Sequence, residues 1–434
     1  MKPIRTLTTG ASLLLALGAG SAQAAALAEI YQQALQNDPQ LKSAQASSLA
    51  NQETAEQAKA NLLPQIDFSA DTRYVDSNFS DYNNHGYTLT LSQPVFDASR
   101  WYTFKQGQQL SEQAKLQFEQ AQQNLILRVV QAYLDVLRAQ TVLETAQAQE
   151  RAIKRRLDQV NAQFEVGLIA ITDVQEAQAS YDNARVDRIE AQGALDNSFE
   201  ALERLTGAAV GQVDILHADY PVQNLTPVEP QPWLEKAWQG NFDLRIATTA
   251  IEAQRRALQA ARGGHYPTLS LDASYDDDNG NSGFTAGTEN TETSTIGLTL
   301  KIPLYAGGGT SSQTRQAEYQ LTATQQDRED ALRAVTQSTR SSLRDLRTNV
   351  QSVAARKQSI KSSETALKAT EEGFNVGTRN VVDVLDAEQA LYAAQRDYAN
   401  ARYDYVLNLF QLKQQVGTLN PDDINSLDQW LVEP

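Results

Sequence analysis

Between Gln108 and Val166 the chain has neither glycine nor proline. Within that stretch Leu125, Ala132, Ala139, Ala146, Ile153 and Val160 recur every seven residues. So do Val129, Val136, Leu143, Leu157 and Phe164, with Glu150 as the one break. Two interleaved heptad series define a coiled-coil seam. The rest of that surface is Gln, Ala, Glu, Arg and Asn, so a helix of this kind needs neighbours along its whole length. A helix over 98–165 would be roughly 100 Å long at 1.5 Å per residue. That length excludes an ordinary compact single-chain core.

The chain also writes itself twice. VGLIAITDVQEAQASYDNAR begins at Val166, and VGTRNVVDVLDAEQALYAAQ begins at Val376. LTLSQPVF at Leu89 returns as LTLKIPLY at Leu298, and IYQQALQNDPQL at Ile30 is loosely matched by WLEKAWQGNFDL at Trp233. The near-constant offset marks one duplicated domain, giving repeats over 25–231 and 232–434. Each repeat reads as a helix (27–61 in the first), two short alternating runs, the long helix, and a second helix (172–205 in the first) closed by Gly207. Segments 207–231 and 418–434 are expected near the waist, where the half-length helices meet.

Strands are expected at about 64–76, 86–96, 267–276 and 294–304. Ile66, Phe68, Ala70, Thr72 and Tyr74 alternate with Gln65, Asp67, Ser69, Asp71 and Arg73, the period of a strand with one dry and one wet face. Runs of this length suit a tilted membrane strand. Four strands are too few for a closed barrel, which needs at least eight, and open sheet edges do not sit in lipid. Several chains must then share one barrel; three would supply twelve strands.

Lys2 and Arg5, the apolar run ASLLLALGAG and the small residues Ser21-Ala22-Gln23-Ala24 have the three parts of a secretory signal peptide over residues 1–24. The apolar run is too short to span a bilayer. There is no cysteine, so no disulfide or thiolate metal site exists. A net charge of −16 argues against nucleic acid as a partner. His85, His217 and His265 are scattered, and no catalytic, metal or cofactor site is expected. Ala306-Gly307-Gly308-Gly309 lacks the P-loop lysine and reads as a strand-to-helix joint. DDDNGNSG from Asp276 lacks the ligand pattern of a calcium loop. It reads as an exposed hairpin loop continuing to Thr293, matched by a loop from Asn78 to His85.

FDASRW at Phe96, QFEVGLIAITDVQEA at Gln163, KIPLYAGG at Lys301 and VGTRNVVDVLDAEQALYAAQRDYANARYDY at Val376 closely resemble the TolC family of outer-membrane channel proteins, over essentially the whole mature chain. The resemblance implies a homotrimer in the outer membrane extending into the periplasm. It would combine a shared transmembrane β-barrel in outer-membrane lipid, a coiled-coil α-barrel and an equatorial α/β belt. It implies an exit duct for efflux of small toxic compounds or type I protein secretion, recruited by an inner-membrane efflux or ABC transporter and a periplasmic adaptor. The alternative reading is a secreted structural or adhesive coiled-coil protein.

Gly167 and Gly377 are expected at the turns of two helical hairpins. Thr172 with Gln175 reads as a capping box, and Asn380 as the cap of the other helix. Asp383 and Asp386 lie three apart on one helix face. By the resemblance they line the periplasmic entrance, where six carboxylates from three chains would favour cations. The resemblance also implies closed-state links involving Thr172, Asp173 and Arg379, with Arg402 in a second set. Phe374 replaces the family's usual tyrosine, so one latch hydrogen bond should be missing.

Overall fold

The computed structural model describes residues 26–76, 78, 81–280 and 289–433; the signal-peptide expectation over 1–24 lies outside them. The chain order is α1 (Leu27–Asn37), α2 (Pro39–Ala60), β1 (Gln65–Asp76), β2 (Asp81–Phe96), α3 (Ala98–Glu165), α4 (Ile171–Thr206) and β3 (Ile215–Leu216). It continues with α5 (Gln231–Gly240), α6 (Phe242–Gly263), β4 (Thr268–Gly280), β5 (Glu289–Lys301), α7 (Gly309–Asn375), α8 (Val381–Gln415), α9 (Pro421–Asp428) and β6 (Leu431–Val432).

The long helix expected over 98–165 is α3, with 68 residues, and its counterpart α7 has 67. Leu125, Val129, Val136, Leu143, Ile153, Leu157 and Val160 of the heptad seam are all buried. The break at Glu150 has a local cause: its carboxylate meets Arg188 of α4 at 2.7 Å. Phe164, at the end of the seam, is exposed. Helix α2 packs beside one part of α3 and α4 beside the other; α6 and α8 do the same along α7.

The single helix expected over 27–61 is two helices. The Asp38 side chain accepts the Leu41 N–H at 2.9 Å and Pro39 opens α2. Proline fits the first helical position but disfavours helical backbone in the residue before it. Asp38 is also held by Arg128, Nη2 to Oδ2 at 2.5 Å. Burial alone would raise its pKa. The Arg128 and backbone N–H bonds outweigh that and hold it below the ordinary value.

The four long strands form one antiparallel sheet in the order β1-β2-β4-β5. Rows such as Phe68–Leu89–Tyr275 and Leu91–Ala273–Ile296 share one face; Asp67–Thr90–Ser274 and Ser92–Asp272 share the other. The apolar face is bare: Phe68 is 68% and Ile296 78% exposed. Among the described residues, the outer edges of β1 and β5 are unpaired. Two loop expectations need correction. β2 already begins at Asp81, so His85 is paired to Thr72 and Asn279, and β4 carries the acidic run through to Gly280. Ladder pairing outweighs the poor strand propensity of Asp and Asn. Residues 281–288 lie outside the described ones.

At mid-height, Leu27, Ile30, Leu125, Tyr133, Leu202, Phe410 and Ile424 belong to the largest apolar cluster. The two-stranded pairing of β3 with β6 and helix α9 close over it. The Tyr133 hydroxyl donates to the Asp214 carbonyl at 2.7 Å. Among the described residues, no helix is long and apolar enough to cross a membrane.

Candidate functional site at the helical tip

The α3–α4 and α7–α8 turns have one construction. Gly167 has φ 76° and Gly377 φ 78°, angles that only glycine adopts cheaply. The Gly167 N–H donates to the Phe164 carbonyl and Leu168 N–H to Gln163; Gly377 N–H donates to Phe374 and Thr378 N–H to Gly373. This is a Schellman closure of each long helix. Gly373 has a second role that sequence reasoning missed. A Cβ there would stand 2.8 Å from Cγ of Arg379, so its absence lets Arg379 fold across the turn.

The helices then restart. Asn380 accepts the Asp383 N–H at 2.8 Å, and the Asp383 Oδ2 accepts the Asn380 N–H at 3.2 Å, a full capping box. The expected Thr172–Gln175 box is not formed. Helix α4 starts one residue earlier, at Ile171, and it is Asp173 whose Oδ2 accepts the Ala170 N–H at 3.3 Å. Ala170 has no side-chain oxygen to return the bond. Thr172 is exposed on the first turn.

Arg379 Nη1 lies 3.9 Å from Asp383 Oδ2, the same oxygen that caps the helix. Asp386, one turn further on, is exposed. Asp173 and Arg379 each serve their own turn within one chain. Arg402 is remote from both, about 30 Å along α8; it is buried and donates to the His217 carbonyl beside the small β3–β6 sheet.

Phe374 is not an idle substitution. It packs against the apolar cluster that includes Val160, Val381 and Leu385, and its ring lies 5.7 Å from the Arg156 guanidinium carbon. Arg156 in turn reaches Glu371 at 2.9 Å, Glu388 at 3.2 Å and Gln159 at 2.9 Å. Arg156 is 9% and Glu388 6% exposed. This ionic node joins α3, α7 and α8 just above the tip. Burial pushes the Glu388 pKa up; Arg156 offsets part of that and Glu371 adds to it. Glu388 Oε2 and Arg156 Nε have no hydrogen-bond partner, so the node is buried at a cost. The heptad pattern around Arg156 and Glu388 gave no sign of it, since charged residues on a long helix ordinarily read as solvent-facing.

Fold and tip together define a duct-forming outer-membrane protein: an apolar-faced sheet with open edges, continued by helices about 100 Å long that end in a carboxylate-bearing tip. The family model "Outer membrane efflux protein" matches residues 30–208 and 233–418, once in each repeat. The chain is 39% identical over 412 residues to the outer membrane protein TolC of Vibrio cholerae, covering 93% of each. It is 30% identical to the alkaline protease secretion protein AprF of Pseudomonas aeruginosa, covering 98% of this chain and 90% of that one. The solved outer membrane protein VceC of Vibrio cholerae superposes with a TM-score of 0.76 at 19% identity, over 90% of this chain and 96% of that one. The chain belongs to the outer membrane efflux protein family. Its place is the outer membrane, and the secreted structural or adhesive alternative finds no support.

Proposed function

We propose that three copies of this chain share one twelve-stranded barrel and one helical cylinder, forming an exit duct for small toxic compounds, secreted proteins or both. The observation that carries this is the four-stranded sheet: one face is apolar and bare, and both edges are unpaired among the described residues. In lipid those edges require partners, and further copies supply them. The strands, with 12 to 16 residues, exceed the roughly 9–11 that cross a bilayer, so their polar ends project beyond it.

The duct performs no reaction of its own. Residues 1–24 direct export and are removed; segments 207–231 and 418–434 build the belt. Asp383 and Asp386 ring the periplasmic entrance and favour cations. The ring is unequal: Asp383 is engaged by its cap and by Arg379, which leaves Asp386 as the freer charge. Thr172, Asp173 and Arg379 link neighbouring hairpins in the closed state, Phe374 supports the node behind them, and Arg402 secures α8 to the belt. An inner-membrane pump and a periplasmic adaptor dock on the tip and open it.

Deleting the gene tests the role. Increased sensitivity to small amphiphilic toxins, or lost export of a secreted protein, is expected and should be restored by the intact gene. A deletion with neither phenotype, together with a monomeric native mass in detergent, contradicts the proposal.

A further inference from the structure

Helices α4 and α7 lie on opposite flanks of the lower half of the chain. Helix α4 packs on α3, α7 packs on α8, and α3 and α8 pack on each other between them. The outward faces of α4 and α7 differ sharply in charge. Residues 332–370 of α7 hold eight Lys and Arg against two Asp and Glu; α4 holds eight Asp and Glu against three Arg. The α7 cations fall on a heptad stripe, Arg333, Arg340, Arg347, Lys361 and Lys368, with Ala354 in the remaining place. All five except Arg347 are exposed; Arg347 donates to the Val228 carbonyl. On α4, Asp182, Asp187, Glu190, Asp196 and Glu200 are exposed.

A second observation is independent of charge. Gly193 sits in the middle of α4, where glycine costs about 0.5–1 kcal/mol relative to alanine. Nothing among the described residues asks for it: a Cβ there would meet no atom within 4 Å. It belongs to an exposed heptad row with Ala179 and with Val186, which is 50% exposed. The open face of α7 carries a matching row of small exposed residues, Thr348, Ala355 and Ser362.

We infer that the acidic face of α4 and the basic face of α7 are the two halves of one seam between copies of this chain, with Gly193 admitting the neighbouring α7 backbone. The heights agree. The α3–α4 and α7–α8 turns share one apolar cluster, so α4 rises from the level at which α7 ends. At 1.5 Å per residue, Lys368 stands about 10 Å and Asp182 about 16 Å above the tip. Lys361 stands about 21 Å and Asp187 about 24 Å above it; Gly193 about 33 Å and Ala355 about 30 Å. Lys361 and Lys368 therefore each find a carboxylate within a side chain's reach. The contact is head-to-tail, and such a contact closes into a ring when the rotation allows. The inference rests on the shared barrel proposed above and specifies which face meets which.

The test is native mass in detergent as a function of protein and salt concentration. A single exposed ion pair contributes little, but a ring repeats the seam three times. The triple variant Arg340→Glu/Lys361→Glu/Lys368→Glu should dissociate at a protein concentration at least about tenfold higher than wild type. Adding Asp182→Lys, Asp187→Lys and Glu200→Lys should restore assembly. Gly193→Leu improves intrinsic helix propensity and meets open space within the chain, so it should leave the fold intact and still weaken assembly. A wild-type monomer overturns the shared-barrel reading itself. A trimer indifferent to Gly193→Leu, or a charge swap that restores nothing, overturns the seam and leaves the shared barrel standing.

Discussion

Replacing Arg156 by alanine isolates the ionic node above the tip. The change leaves Glu388, 6% exposed, as a buried carboxylate without its cation. Breaking a buried pair in this way costs about 3–5 kcal/mol. The Phe374 contact adds something below about 1 kcal/mol, and the half-exposed Glu371 adds little, since its charge is left near water. At 1.36 kcal/mol per power of ten, the first term alone raises the local-opening equilibrium by roughly two to nearly four powers of ten. Hydrogen exchange of the amides in the first turns of α8 reads this directly, because it reports local opening rather than global unfolding. The pH dependence has a fixed sign. The folded-state pKa of Glu388 is raised by burial, so the stabilisation is complete at acid pH and is lost as pH rises through that pKa. Without Arg156 the pKa rises further, and the penalty should shrink on moving from neutral to mildly acid pH. Glu388→Gln should cost clearly less, because Arg156 keeps Glu371 and Gln159 as partners. A loss of protection below tenfold in Arg156→Ala, or one that is the same at both pH values, would refute the reasoning.

Three further outcomes are expected. Phe374→Tyr keeps the ring beneath Arg156 and restores a hydroxyl at the tip, so basal conductance should fall; an unchanged or higher conductance counts against the latch. Asn380→Ala removes the side-chain acceptor of the α8 cap and should cost about 1 kcal/mol, seen as faster amide exchange confined to the first turn of α8. Gly373→Val places bulk where Cγ of Arg379 already stands 2.8 Å from a Cβ position. It should displace Arg379 and alter channel closure without changing native mass.

The long helices were legible because their heptads run unbroken, and the membrane sheet because Ile66 to Tyr74 alternate without fault. Both patterns are local consequences of burial on one face. What escaped was decided by single residues or by contacts distant in sequence. Pro39 breaks a helix whose periodicity continues past it, although the proline was there to be read. Thr172 looked like a cap from spacing alone, yet the Schellman closure at Gly167 fixes where α4 restarts and gives the capping carboxylate to Asp173. The node of Arg156, Glu371 and Glu388 joins residues more than 200 positions apart, and each one alone resembles an ordinary polar helix position. At the tip, the sequence placed Asp383 and Asp386 on one face but gave no hint that Arg379 folds over Gly373 to meet the first of them.

The proposed ring of Asp383 and Asp386 at the periplasmic entrance is tested most directly by current through planar bilayers. Purified wild-type protein should give small cation-selective currents. Asp386→Ala should lose more of that selectivity than Asp383→Ala, whose carboxylate is already engaged by Asn380 and Arg379, and the double variant should lose it entirely. Selectivity that survives in the double variant would contradict the account and place the filter elsewhere in the duct.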